Sequence, residues 1–402
     1  MDAERADGTA PPAGPLRAVR DDPARMAAML AGLYADVSDV LAAQAPDGLI
    51  PLERIDALVL PWRGVHARTD LQDGRTVIRI SLGLINLMYL MIRALASRAV
   101  VGGGGPAGPD DVVPRLAEWL DRACAPVAPA MASAPLRPEQ VAVAELHTQW
   151  AEWFLLAHEL AHAHKIDARA LATMPVLARF TDPDGRRIGL EHAADLFGVW
   201  LLQRMAQARV RAFLARGGDA GRPADGAQLE LRSANYAYAG AELTLHAMNM
   251  IEDFDPQSRP SLHPTAADRI AFLRDAMARG GQEQLLADAL AWSELLAANA
   301  PQAIAMASVN RDVAARELSA VLDRAERAAD LAWLDDREHI LTFLLGSMSG
   351  SMGLLLRTLT TEPAPAPRRR AALALAQRYL PAADAGYAPF WAAMKSDDGG
   401  WT

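Results

Sequence analysis

The order of apolar and polar positions divides the chain into stretches of different period. Residues 21–46 recur at helical spacing, with an acidic start and Pro23 near the first turn, and predict an amphipathic helix. Between residues 55 and 81 the character changes. IDALVLPW and VHARTDLQDGRTVIRIS carry β-branched residues, partial alternation and an Asp73-Gly74 pair, which predicts a hairpin or small sheet. INLMYLMIRALAS returns to helix. Residues 102–111 (GGGGPAGPDD) and 125–138 (APVAPAMASAPLRP) read as a loop and a connector. From Glu139 the pattern is strongly helical. One helix is expected over 141–165, then a turn at Asp182-Pro183-Asp184-Gly185, then a helix over 188–215 ended by Gly217-Gly218. Further helices are expected through 241–254, 264–279 and 282–358. Residues 361–370 (TEPAPAPRRR) read as a linker before a last helix and an aromatic tail with Tyr387, Phe390 and Trp391. No fixed-period repeat or sustained heptad is visible.

These elements describe a mainly α (α+β) chain with a small β-sheet or hairpin ahead of its central helices. The expected division is a disordered tail at 1–20 and an N-terminal helix with the small β region and linkers at 21–135. A core at 136–280 and a helical C-terminal extension at 281–402 complete it.

Composition narrows the function classes. Of 402 residues, 51% are apolar and 22% charged, ordinary for a protein that buries a core. A net charge of -9 speaks against nucleic acid as the main partner, because phosphate binding wants clustered Lys and Arg. Cys124 is the single cysteine, so an intramolecular disulfide and a cysteine-rich metal site are both excluded. Any metal must be held by His, Asp and Glu. The start, MDAERADGTAPPAGP, lacks the basic-then-apolar order of a secretory signal, and a cytoplasmic location is expected. Gly102–Gly105 is followed by no Gly-Lys-Ser/Thr and predicts a flexible loop rather than a phosphate cradle. Ile80–Ile92 is too short for ~30 Å of hydrocarbon. Ile340–Leu356 is uncharged but borderline in length and broken by Gly and Ser. The expectation is no membrane partner, with 340–356 as the weak candidate against it.

Residues 158–162, HELAH, fit His-Glu-x-x-His. On a helix, positions i and i+4 share a face about 5–6 Å apart, so His158 and His162 can bind one zinc ion. Glu159 can take a proton from a zinc-bound water. The bland alternative is a partly buried helix whose polar residues find local partners. His164, two residues on, points to another side and is expected to be solvated or at the helix end. His147 is set aside. Downstream, LEHAADLF places Glu191 and Asp195 at i and i+4 on an otherwise apolar face. Such a pair is costly to bury unless paired or metal-bound. Glu191 can be the third metal ligand, and Asp195 can accept from the second nitrogen of a ligand histidine. The alternative for Glu191 is an acidic first helix turn. His192 is left structural. In SLHPTAADRI, Pro264 starts a helix, so His263 stands on the loop before it. Tyr236, Tyr238 and His246 are reserve hydrogen-bond donors.

Taken in order, HELAH, EHAAD and HPTAADRI resemble the gluzincin metallopeptidases, nearest to the HtpX and CAAX prenyl endopeptidase group and its soluble relatives. A similar arrangement is expected of the Lit-type peptidases. The resemblance covers residues of about 150 to 275. It implies a zincin-like core, Zn2+ on His158, His162 and Glu191, Glu159 as catalytic base and acid, and Asp195 in support. It further implies that His263 covers the site or stabilises the oxyanion, and that Arg269 braces its loop against a carboxylate. The group's membrane helices have no clear counterpart here. The expected function is a zinc metalloendopeptidase acting on protein or peptide substrates. The alternative is a catalytically silent or conditionally activated zinc protein whose helices bind a partner protein.

Overall fold

The computed structural model describes residues 55–60, 67–97, 112–124, 136–173, 189–215, 223–256, 263–279, 283–327, 349–360 and 366–380, with a few isolated positions besides. The expected tail at 1–20, the loop at 102–111 and the turn at 182–185 lie outside them, as does nearly all of the expected helix at 21–46.

The β region is a three-stranded sheet built from β1 (Ile55–Leu60), β2 (Ala67–Gln72) and β3 (Arg75–Ser81) in the order β1-β3-β2. The β2–β3 hairpin turns on Asp73 and Gly74, whose φ of 51° and 75° suit the tight two-residue turn that matches strand twist. β1 runs parallel to β3, with Ile55 opposite Thr76. That pairing brings together strands that are not consecutive in the chain. The central strand β3 buries Val77, Ile78 and Ile80, and β2 is an edge strand.

Helix α1 (Leu82–Ala96) starts at once after β3, with Ser81 Oγ accepting the Leu84 amide at 3.2 Å. Helix α2 (Val112–Ala123) sends the Trp119 indole N–H to the Leu87 carbonyl at 2.7 Å. Helix α3 (Pro138–Ala163) has Pro138 at its first position. Gln140 accepts from the Arg137 amide and donates to the Ser97 carbonyl, both at 3.1 Å, which ties the start of α3 to the end of α1. From Trp150 to Ala161 every α3 residue is buried. A helix packed on all sides needs no polar stripe, which is why this stretch shows an apolar run instead of an amphipathic period.

A single turn, α4 (Ala168–Thr173), follows. The long helices α5 (Leu190–Ala215) and α6 (Pro223–Phe254) pack on α3, and α7 (Ala266–Arg279) packs on both α5 and α6. In this layer Gly240 of α6 lies tightly against Trp150 of α3.

Helix α8 (Glu283–Arg327) contains Pro301 and joins two apolar cores. Its Leu296, Ala303 and Ala307 belong to a large cluster shared by β1, β3, α1–α7. Its Leu318, Leu322 and Ala325 belong to a smaller one with α9 (Ser349–Thr360) and α10 (Ala366–Tyr379). The expectation of a linker across 361–370 is corrected at its second half. Helix α10 begins at Ala366, so Arg368–Arg370 are helical. Pro367 is tolerated in a first turn, and Arg368 pairs with Asp323 and donates to Ser319 Oγ of α8, which offsets a cation near a helix N-terminus. Among the described residues no helix is long and apolar enough to cross a membrane. In the weak candidate at 340–356, the described part from Ser349 on lies in α9, which buries Leu354, Leu355 and Leu359 against the second core.

Two glycines separate packing from propensity. A Cβ on Gly240 would stand 2.6 Å from two Trp150 atoms, one of them backbone, whereas one on Gly353 of α9 meets nothing within 4 Å. Gly240→Ala is expected to destabilise by about 2 kcal/mol or more, since overpacking outweighs the helix gain. Gly353→Ala is expected to stabilise by about 0.5–1 kcal/mol. Urea unfolding midpoints check both.

Candidate metal centre

Three helices and one strand meet at the C-terminal half of α3. The i and i+4 spacing puts His158 and His162 on one face, with their Nε2 atoms 3.1 Å apart. Across from them, the first turn of α5 carries Glu191. Its Oε2 lies 3.3 Å from His158 Nε2, and its Oε1 lies 3.4 Å from His162 Nε2. One donor atom from each of the three residues falls within 4.8 Å of the others, a grouping able to hold a metal ion.

The donor chemistry fits zinc. With bonds of about 2.0–2.1 Å, tetrahedral ligand atoms stand about 3.4 Å apart, close to the separations seen here. His158 Nδ1 lies 2.9 Å from Asp195 Oδ1, so its Nε2 faces Glu191 and His162. Formal charge points the same way. Glu159, Glu191 and Asp195 bring three carboxylates to this region, and Arg269 is the guanidinium bonded among them. Once His158 has given up its proton, two negative charges remain for a divalent cation to balance.

Asp195 is fully buried, one turn along α5 from Glu191. Its carboxylate is grasped by Arg269 of α7, with Nε on Oδ2 at 2.7 Å and Nη2 on Oδ1 at 2.6 Å. Arg269 is itself 4% exposed, and its Nη1 reaches to 3.6 Å from Glu191 Oε2. Burial alone would raise the Asp195 pKa, but Arg269 and His158 outweigh it and hold the carboxyl down to about 2. Burial likewise opposes ionisation of Glu191, but hydrogen bonds from His158 and His162 hold it well below the usual carboxylate range. Burial pushes His158 down, yet the bonds to Asp195 and Glu191 prevail and raise it to about 9.

His263 stands before α7 with its side chain 47% exposed, and its Nδ1 lies 3.3 Å from Glu191 Oε1. Glu159 is buried and points at the sheet, where its Oε2 accepts from the Thr69 hydroxyl at 2.7 Å. Thus His158, His162, Glu191, Asp195, Arg269 and His263 form one connected group, with Glu159 beside it on the same helix.

The other singled-out residues lie elsewhere. His164 caps the end of α3, as one expectation had it, but it is not solvated. It is 9% exposed, and burial pushes it down to about 4. His147 lies against Trp292, ring centres 4.3 Å apart. His192 stacks on Phe272 at 4.6 Å. The Tyr238 hydroxyl donates to Glu242 at 2.7 Å, and Glu242 also accepts from Arg274 and Ser293, a buried clasp of α6, α7 and α8. His246 sits beside that clasp, 3.4 Å from Arg274. Tyr236 meets the His147 ring edge-on. Thr69 was not singled out in the sequence. Its partner stands 90 positions along the chain, and a threonine in a strand carries no local sign of such a bond.

Compared with family models, with curated proteins and with solved structures, the chain matches none.

Two outcomes follow from the electrostatics. With its pKa raised to about 9, metal-free His158 is protonated at pH 7.5 and must give up that proton to bind a cation. Zinc binding at pH 7.5 is therefore expected to release about one proton from His158, and the release should fade as pH rises past 9. Acid should weaken binding. Calorimetry in buffers of different ionisation enthalpy measures it. Separately, Asp195→Asn should lower zinc affinity by about 10- to 100-fold, read by chelator competition, because the ligand imidazole loses its orienting carboxylate.

Proposed function

We propose that the chain is a zinc-dependent metalloendopeptidase with a zincin-like core, acting on protein or peptide substrates. The observation that carries this reading is the convergence of His158, His162 and Glu191 donor atoms within 4.8 Å, beside an acidic residue one position past the first histidine. Among the described residues that group has three members. Three protein ligands with a position left over are the pattern of catalytic zinc, whereas structural zinc is usually closed by four. The order HELAH, EHAAD, HPTAADRI adds support through its resemblance to the gluzincins.

In this reading His158, His162 and Glu191 hold the ion, and Asp195 sets the His158 tautomer. When bound, zinc supplies a Lewis acid that lowers the pKa of a coordinated water toward about 7 and polarises a carbonyl. Glu159 takes the proton from the attacking water. As the tetrahedral centre collapses and the C–N bond breaks, Glu159 hands that proton to the leaving amine. His263, on the exposed side of Glu191, is assigned to the oxyanion. The edge strand β2 offers backbone groups to an extended substrate, which would add as a further strand. The assignment of a cytoplasmic peptidase without membrane or nucleic-acid partners belongs to the same proposal.

The deciding experiment is Glu159→Gln in the zinc-loaded protein against a proteome-derived peptide library. The variant should retain zinc and lose cleavage by about 100-fold or more. Cleavage at the wild-type rate would rule out this mechanism. Zinc bound at one per chain with no cleavage by the wild type would instead favour a silent or conditionally activated zinc protein.

A further inference from the structure

Among the described residues the sheet reaches Glu159 through the Thr69 hydroxyl, and its geometry is specific. The hydroxyl lies 2.7 Å from Glu159 Oε2 and 3.0 Å from the Glu159 carbonyl oxygen. A threonine hydroxyl has one proton and can donate to one acceptor at a time. The side-chain oxygen is the nearer acceptor, so it takes the proton. Thr69 is β-branched and stiff at its first torsion, which makes the position of its hydroxyl oxygen a property of the strand. The strand is firmly seated. Thr69 pairs across the hairpin with Ile78 of β3, which is fully buried.

We propose that Thr69 is a positioning residue for Glu159. By holding Oε2 against β2 it leaves Oε1 as the oxygen that exchanges the proton with water and then with the leaving amine. This rests on the metallopeptidase reading and deepens it. β2 is also the edge strand on which an extended substrate would lie, so one strand would set both the substrate backbone and the base that serves it. A base displaced by about 1 Å from productive geometry can cost on the order of 100-fold in rate. One hydroxyl at 2.7 Å therefore has leverage out of proportion to its stability.

The experiment compares full-length, zinc-loaded wild type, Thr69→Val and Thr69→Ser. Three quantities are measured: kcat and KM on a peptide found in the library screen, zinc affinity by chelator competition, and the Glu159 carboxylate position by crystallography. Thr69→Val, nearly the same shape without the hydroxyl, should lower kcat by about 10- to 100-fold. KM should stay within about twofold and zinc affinity should not change. The carboxylate should leave its place beside β2. Thr69→Ser should recover most of kcat and restore the carboxylate. An unchanged kcat in Thr69→Val, or a Thr69→Ser variant as slow as Thr69→Val, would overturn the proposal. If the wild type cleaves no peptide, the peptidase reading fails by itself. The carboxylate position in the three zinc-loaded crystals then decides the role of Thr69, and an unmoved Glu159 in Thr69→Val overturns it.

Discussion

The bidentate pair between Asp195 and Arg269 is the interaction on which the site depends. It is buried, and it joins α5 to α7 at the point where His158 of α3 also bonds. A charge pair taken out of water contributes little net stability, because desolvation offsets the attraction. Its value here is geometric. Asp195 has two oxygens, and Arg269 engages both while His158 shares one. The imidazole is thereby fixed in rotation and tautomer, so its second nitrogen faces Glu191 without further adjustment. Helix α7 is held a second time, five residues on, by Arg274 on Glu242. The helix that braces the candidate metal ligands is thus pinned at two buried carboxylates.

The site is set into a buried stretch of the core, which creates a conflict and resolves it. Trp150 through Ala161 are buried on every side, so His158 and Glu159 sit where an unpaired polar group would cost several kcal/mol. Each is satisfied by an element other than α3. His158 looks to Asp195 and Glu191, and Glu159 looks to Thr69. The core supplies rigidity, and the polar partners arrive from β2, α5 and α7.

How much of this was legible in the sequence follows from the range of each interaction. His158 with His162, and Glu191 with Asp195, are i and i+4 pairs, so helix periodicity alone places each pair on one face. The Asp73-Gly74 hairpin was legible for the same reason, since the turn chemistry is local. That the two helical pairs face each other is a tertiary fact, and only their order along the chain hinted at it. The parallel pairing of β1 with β3 had no local signature, and neither did the Thr69 bond. The start of α10 was misjudged because Pro363, Pro365 and Pro367 read as a linker. A proline in a first turn costs a helix nothing, and the Arg368 pairing with Asp323 is invisible without α8. His164 misled for a related reason. Its place at the helix end was periodic information, but its burial is imposed by neighbours.

Exposure within the group is graded, and the gradient gives the site a direction. The side chain of Asp195 is 0% exposed, His158 11%, Glu191 12%, His162 27% and His263 47%. The anchoring bonds therefore lie at the buried end, and each step toward solvent adds a side chain with fewer constraints. A site assembled the other way, with its anchor at the surface, would lose geometry to side-chain entropy and to water competing for its hydrogen bonds. Here the atoms that must not move are farthest from water. His162 and His263, which face outward, are the groups that a partner arriving from solution would meet first.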